Sequence, residues 1–242
     1  MSIFYTKNHE EMSRTAADII AKEIKKNPNI KICFATGSTP IDTYKFLIDK
    51  CKSKEISFKG VTSFNLDEYV NLDPKNHCSY HYFMDENLFN HIDIDRANIN
   101  FPNGIGNIEK NAQEYEKTIA QKGGIDLMIL GIGTNAHIAF NEPGSLKEGR
   151  TREVKLTKST INSNEQYFDN PNDIPKTAIS MGIGTILEAK KIILLASGLN
   201  KARAIYDSID GDMTEQVPAS FLRTHQNVTF IIDEEAANLL KR

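Results

Sequence analysis

Short β-rich runs alternate along this chain with longer stretches whose apolar residues recur every three or four positions. The runs predict strands at residues 30–35, 61–66, 99–101, 125–130, 154–156, 178–181, 192–196 and 228–232. The intervening stretches predict helices at about 9–26, 39–51, 79–90, 108–122, 182–189, 200–209 and 233–241. Helices between strands imply parallel βαβ units with helices on both faces of a sheet. Some runs, such as Ile192-Ile193-Leu194-Leu195-Ala196, are apolar throughout, as expected for strands covered on both sides. Asn8 is placed to cap the first helix and Asp233 the last. Asn170-Pro171-Asn172-Asp173-Ile174-Pro175 reads as a loop. No repeat or linker interrupts the pattern. The expected fold is α/β: a single three-layer domain over residues 1–242, built on an open, mostly parallel, doubly wound (Rossmann-like) sheet.

The chain has 242 residues, 40% of them hydrophobic and 25% charged, enough to bury a core without disulfides or metal. Its net charge of -3 gives no overall attraction to nucleic acid or to an anionic membrane. No apolar run approaches the ~20 residues needed to span a bilayer, and the N-terminus lacks a signal-peptide pattern. Three cysteines, Cys33, Cys51 and Cys78, show no metal-like spacing, and Cys33 falls in a core run. A reduced, cytoplasmic setting is the expectation.

The chemistry concentrates where strands end. Residues 125–130 run into Gly131-Ile132-Gly133-Thr134-Asn135-Ala136-His137, followed by Ile138-Ala139-Phe140-Asn141-Glu142-Pro143. Open α/β folds place ligands beyond the carboxyl ends of their strands. Imidazoles ordinarily titrate near neutrality, which makes His137 a candidate for moving protons to and from a ligand. Glu142 is placed to orient the imidazole, and Asn135 can hold His137 or a substrate but cannot titrate. A lone His in an apolar setting is more often structural, but this one leaves a strand through two glycines and is bracketed by an amide and a carboxylate. One His without Cys or a second His is a poor metal site. Gly-x-Ser-x-Gly is absent, which disfavours a serine nucleophile.

Residues 30–35 run into Thr36-Gly37-Ser38-Thr39-Pro40 and then a helical pattern. Free N–H groups at such a helix start favour an anion, here on Gly37, Ser38 and Thr39. A plain βα turn is the bland alternative. The Lys of a Walker loop and the spacing of a dinucleotide fingerprint are both missing, so a small phosphorylated metabolite fits better than a nucleotide. Residues 61–66 end in Asp67-Glu68-Tyr69. A carboxylate held partly dry at that edge has a raised pKa and can act as a base. Neighbouring acids point different ways, so one of the two is expected to act, and Asp67 is nearer the strand end. The bland alternative is that both are solvated or cap the next turn.

Thr36-Gly37-Ser38-Thr39-Pro40, Phe64-Asn65-Leu66-Asp67-Glu68-Tyr69-Val70 and the segment from Gly131 to Pro143 together resemble the glucosamine-6-phosphate deaminase family. The resemblance extends to Ser79-Tyr80-His81-Tyr82-Phe83-Met84, to residues 175–182 and to Val217-Pro218-Ala219, and so covers nearly the whole chain. It implies an aldose–ketose isomerisation with loss of ammonia and no cofactor. Its substrate would be a phosphorylated amino sugar. By resemblance, His137 opens the pyranose ring with support from Glu142 and Asn135, Asp67 moves the C2 proton to C1, and Lys201 joins Gly37, Ser38 and Thr39 on the phosphate. A surface lysine is the bland reading of Lys201.

Two residues depart from the family pattern. Ala136 stands where glycine is usual. If that backbone needs φ > 0, a Cβ there costs on the order of 1 kcal/mol and would narrow the pocket. Gln166 stands where the glucosamine enzymes carry a phosphate-binding Arg, and its amide cannot replace a guanidinium's charge. Galactosamine 6-phosphate is therefore kept as an alternative substrate. Remoter alternatives are a 6-phosphogluconolactonase-like hydrolase and a non-catalytic sugar-phosphate-binding module. A regulator would need a helix-turn-helix domain, for which a first strand near residue 30 leaves no room. Arg150 and Arg152 lie where some members bind an allosteric sugar phosphate, but the rest of that pattern is missing and activation is not expected. A monomer or small homo-oligomer is expected.

Overall fold

The computed structural model describes residues 1–157, 161, 168 and 174–241. Seven strands form a parallel sheet: β1 (Ser2–Thr6), β2 (Lys31–Phe34), β3 (Thr62–Asn65), β5 (Ile99–Asn100), β6 (Leu127–Leu130), β9 (Ile192–Ala196) and β10 (Val228–Asp233). Their spatial order is β1-β10-β9-β6-β2-β3-β5. A second sheet, antiparallel and of order β4-β8-β7, is built from β4 (Asp67–Tyr69), β7 (Arg152–Lys155) and β8 (Thr177–Ser180). The α-helices among the described residues are α1 (His9–Lys26), α2 (Ile41–Lys52), α3 (Tyr80–Asn87), α4 (Ile108–Gln121), α5 (Ile183–Leu187) and α6 (Ala202–Ile209). None of them is long and apolar enough to cross a membrane.

Local sequence explains the elements that carry the site. Asn8 caps α1 by accepting the Glu11 N–H at 3.0 Å. Met12, Ala16, Ala17, Ile20, Ala21 and Ile24 then form one buried stripe, with acids in the first turn and lysines in the last, as the helix dipole favours. β6, β9 and β10 are buried at every residue, so the middle of the sheet is covered on both faces. From β2 the chain builds outward through β3 to β5. It then returns to the other side of β2 with β6 and continues to β9 and β10. Strand order therefore reverses between β2 and β6, and a crevice opens where their carboxyl ends diverge.

The α/β architecture matches the sequence pattern, with informative differences. β1 was not expected; it is a five-residue edge strand, Ser2-Ile3-Phe4-Tyr5-Thr6, paired on one side only and mostly exposed, so its apolar residues do not mark a buried strand. The strands expected at 154–156 and 178–181 do not join the main sheet; β7 and β8 pair with each other and with β4. The helix expected at 233–241 is a series of turns. Asp233 still caps them, accepting the Ala236 N–H at 2.8 Å.

The same Asp233 carboxylate accepts the Ser197 hydroxyl at 2.5 Å and the Gly198 N–H at 3.1 Å, and Gly198 sits at φ +95°. It thereby fixes the turn that leads to Lys201. Asp233→Ala should destabilise the fold by about 2 kcal/mol or more, since buried donors lose a charged acceptor. Urea denaturation checks this; a change below about 0.5 kcal/mol would show the carboxylate to be dispensable.

Candidate active site

A cavity of about 390 Å³ lies over the carboxyl ends of β2, β3 and β6. One wall is the β2–α2 turn. Gly37 is at φ +93°, a conformation that favours glycine. The Tyr44 hydroxyl of α2 donates to the Ala35 carbonyl and ties the helix to the strand end. The N–H groups of Gly37, Ser38 and Thr39 meet no acceptor among the described residues. Lys201 comes in from the far side, and its ammonium donates to the Ile132 carbonyl at 2.8 Å. Burial pushes its pKa down. Gly37, Ser38, Thr39 and Lys201 thus line one cavity. Gln166 lies outside the described residues.

Asp67 forms the floor. β3 ends at Asn65, Leu66 is a one-residue joint whose carbonyl accepts the Met181 N–H at 2.8 Å, and Asp67 opens β4 opposite Ser180. Asp67 is 6% exposed, faces the cavity, and has no hydrogen-bond partner among the described residues. Burial, and after it the negative charge of Glu68, pushes its pKa from the usual carboxylate range up to about 8. Glu68 turns the other way, because successive side chains of a strand alternate. Its carboxylate accepts the Tyr80 and His81 N–H groups at 3.0 Å at the start of α3. The expectation that only one of the two acids faces the site holds, and the other is a helix-capping group.

The third wall is the turn after β6. Its polar groups form a chain of one polarity. The Asn135 amide donates to Glu142 Oε2 at 2.7 Å, and its Oδ1 lies 2.7 Å from His137 Nδ1. Thr157 donates to the other Glu142 oxygen at 3.2 Å. Since the Asn135 nitrogen is committed to the carboxylate, its oxygen must accept from the imidazole. The proton sits on Nδ1, and Nε2 carries the free lone pair. The ring lies against Gly133: a Cβ built there would fall 2.3 Å from His137 Cε1.

Ala136 is at φ +63°, so the backbone does take the left-handed form in which a Cβ costs about 1 kcal/mol. Its methyl does not narrow the pocket. It is 2% exposed and packs into the main core, away from the cavity lining. Arg150 pairs with Glu116 and Glu188, and Arg152 donates to Asn141 Oδ1 at 2.9 Å, so both arginines are tied into the scaffold. The sequence reading missed the aromatic wall formed by Tyr69, Tyr80, Phe140 and Phe168. Tyr80 stacks on Phe140 with ring centroids 6.1 Å apart, and its hydroxyl donates to that of Tyr69 at 3.2 Å. Tyr69 was readable in principle, because in a strand it shares a face with Asp67. The others come together only in the fold.

The chain resembles known proteins along nearly its whole length. The family model for glucosamine-6-phosphate isomerases/6-phosphogluconolactonase matches residues 7–231. The chain belongs to this family. A glucosamine-6-phosphate deaminase from Thermoanaerobacter sp. (strain X514) is 52% identical over 99% of this chain and 95% of its own length. A solved structure described as a monomeric glucosamine-6-phosphate deaminase superposes with a TM-score of 0.96 at 41% identity, covering 99% of this chain and 100% of that one. A 6-phosphogluconolactonase from Trypanosoma cruzi shares the fold, with a TM-score of 0.81 at 23% identity over 100% of this chain and 97% of that one.

The position of Asp67 has a consequence for stability. Its folded pKa of about 8 lies above that of an exposed carboxylate, so between the two values the folded chain holds a proton that the unfolded chain has lost. The stabilisation from this group is complete below the unfolded pKa and is lost as pH rises toward 8. Asp67→Asn should therefore be more stable than the parent at pH 9, by on the order of a few kcal/mol, with the gap closing near pH 4. Denaturant titrations at the two pH values check this; a gap independent of pH would mean that Asp67 is not held dry.

Proposed function

We propose that the protein converts glucosamine 6-phosphate and water to fructose 6-phosphate and ammonia. The observation that carries this reading is a largely buried carboxyl, Asp67, sharing one cavity with the imidazole of His137, with no hydrogen-bond partner for the carboxyl or for Nε2 among the described residues. The substrate phosphate sits on the N–H groups of Gly37, Ser38 and Thr39 and on Lys201. His137 Nε2 takes the proton of the anomeric hydroxyl and delivers one to the ring oxygen, which opens the pyranose. Asn135 and Glu142 stabilise the transient imidazolium through Nδ1. Asp67, ionised, removes the C2 proton to give an enolamine and returns it at C1. The resulting C2 imine takes up water and releases ammonia as the ketose forms. Each acid–base step is worth about 10²–10⁴-fold in rate when the group is well placed. Three cysteines without a disulfide among the described residues suit a reducing cytoplasm, and a monomer is the state inferred from the solved relative.

Ammonia release from glucosamine 6-phosphate, with galactosamine 6-phosphate assayed in parallel and no metal or nucleotide added, tests the reading. Activity should be greater on the gluco epimer. Silence with both would refute the enzyme, and a preference for the galacto epimer would reassign the substrate. Asp67→Asn should abolish exchange of the C2 proton with solvent while leaving ligand binding intact. Because the base is the deprotonated form, kcat/KM should fall as pH drops below about 8. Gly133→Ala should push the His137 ring off Asn135 and lower kcat by about 10²-fold, with little change in melting temperature. Full activity in that variant would show that the ring position is not critical.

A further inference from the structure

Asn141 and Ser180 are fully buried, and neither lines the cavity. They lie between the turn that carries His137 and the joint that carries Asp67. The Leu66 carbonyl, next to Asp67, accepts the Met181 N–H at 2.8 Å. The Met181 carbonyl in turn accepts Asn141 Nδ2 at 2.8 Å. The same Nδ2 donates at 2.9 Å to the carbonyl of Ile138, the residue after His137. On its other side Asn141 Oδ1 accepts from the Arg152 guanidinium of β7 at 2.9 Å. Two carbonyls face the amide nitrogen and a cation faces its oxygen, so the side chain has one orientation and both of its N–H groups are used. Ser180 lies opposite Asp67 in the β4–β8 pair. Its hydroxyl oxygen accepts the Phe140 N–H at 3.1 Å and donates to the Met181 carbonyl at 3.3 Å.

We propose that Asn141 and Ser180 are positioning residues that fix the imidazole of His137 relative to the carboxyl of Asp67. This rests on the reading of those two groups as the proton carriers. They act on neighbouring atoms of one substrate, so their spacing has to match it, and a misplacement of about 1 Å can cost 10²-fold in rate. The turn around His137 does not hold that spacing by itself. Ala136 and Ala139 sit at φ +63° and +50°, a region that residues with a Cβ adopt only at a cost, so the turn keeps its shape through its partners. Other bonds that leave it lead elsewhere in the fold: the Ala136 carbonyl accepts the Ala219 N–H at 3.0 Å, and the Ile132 carbonyl accepts Lys201 Nζ at 2.8 Å. Asn141 and Ser180 supply the side-chain bonds that run from the turn to the strands flanking Asp67. The packing of Phe140 on Tyr80 joins the same two walls, but ring contacts fix direction less closely than hydrogen bonds do.

Two variants test the joint. Asn141→Asp keeps the side-chain volume and the acceptor for Arg152 but loses both donors. Ser180→Ala leaves the Phe140 N–H without its acceptor. Each should lower kcat by about 10-fold or more. KM should stay within about twofold, because the side chains of Asn141 and Ser180 make no bond to the anion turn at 36–40. Crystal structures of the ligand-free variants should show the His137 ring displaced relative to Asp67 by about 0.5 Å or more. A merely structural role would lower the melting temperature and leave both the ring position and the kcat of folded enzyme as in the parent. An unmoved ring, or a kcat within about twofold of the parent in folded variants, would overturn the proposal. If Asn141→Asp does not fold, Ser180→Ala decides alone. Should the wild type release no ammonia, the deaminase reading falls, while the ring position in the ligand-free variants still decides whether this joint sets it.

Discussion

The arrangement depends on keeping one carboxyl largely buried and without a hydrogen-bond partner among the described residues. Asp67 lines the same cavity wall as Leu66, Tyr69, Tyr80 and Phe140, with no hydrogen-bond donor to its carboxyl among the described residues. Ionising a group so placed is unfavourable, and the fold carries that expense in the form of a raised pKa. The second sheet makes it possible. β4 is three residues long and would not persist alone, but its pairing with β8, together with the Leu66–Met181 hydrogen bond, clamps Asp67 on both sides. Glu68 is clamped in turn by the start of α3. Asp67 is thus held by backbone hydrogen bonds, which do not titrate.

The imidazole is handled in the opposite way. His137 is held through a full set of partners, from Glu142 through Asn135 to Nδ1, and that chain selects the tautomer. An amide at residue 135 serves this well, because it can donate to the carboxylate and accept from the ring at once. A glycine beneath the ring and a left-handed Ala136 complete the turn, and a buried methyl accounts for how alanine is accommodated there. The site therefore holds two proton carriers of different design, one isolated and one wired, on the ends of different strands. Their separation follows from the reversal of strand order between β2 and β6.

Much of this was legible in the chain. β-rich runs located β2, β3, β6, β9 and β10, and β6, β9 and β10, buried at every residue, are largely apolar as strands covered on both faces are. Glycines, a proline and polar residues at the ends of those runs marked the anion turn at 36–40 and the turn around His137. What escaped were elements with weak local signals: β1, an exposed edge; β4, too short for a period; and the turns after Asp233, which carry an apolar spacing that suggested a helix. The roles of Tyr69, Tyr80 and Phe140 escaped because residues far apart in sequence form that wall.

Sequence alone determined the α/β class and the family, and it singled out Asp67, His137 and the turn at 36–40 as candidates, since these rest on local periodicity and on residue types at strand ends. Only the tertiary structure decided how those residues behave. Whether Asp67 is dry, whether Glu68 faces the substrate or caps a helix, which nitrogen of His137 is free, and whether the methyl of Ala136 enters the pocket all depend on what packs against them. Those neighbours come from β8, α3, Asn135 and the main core, and their proximity is a property of the folded chain.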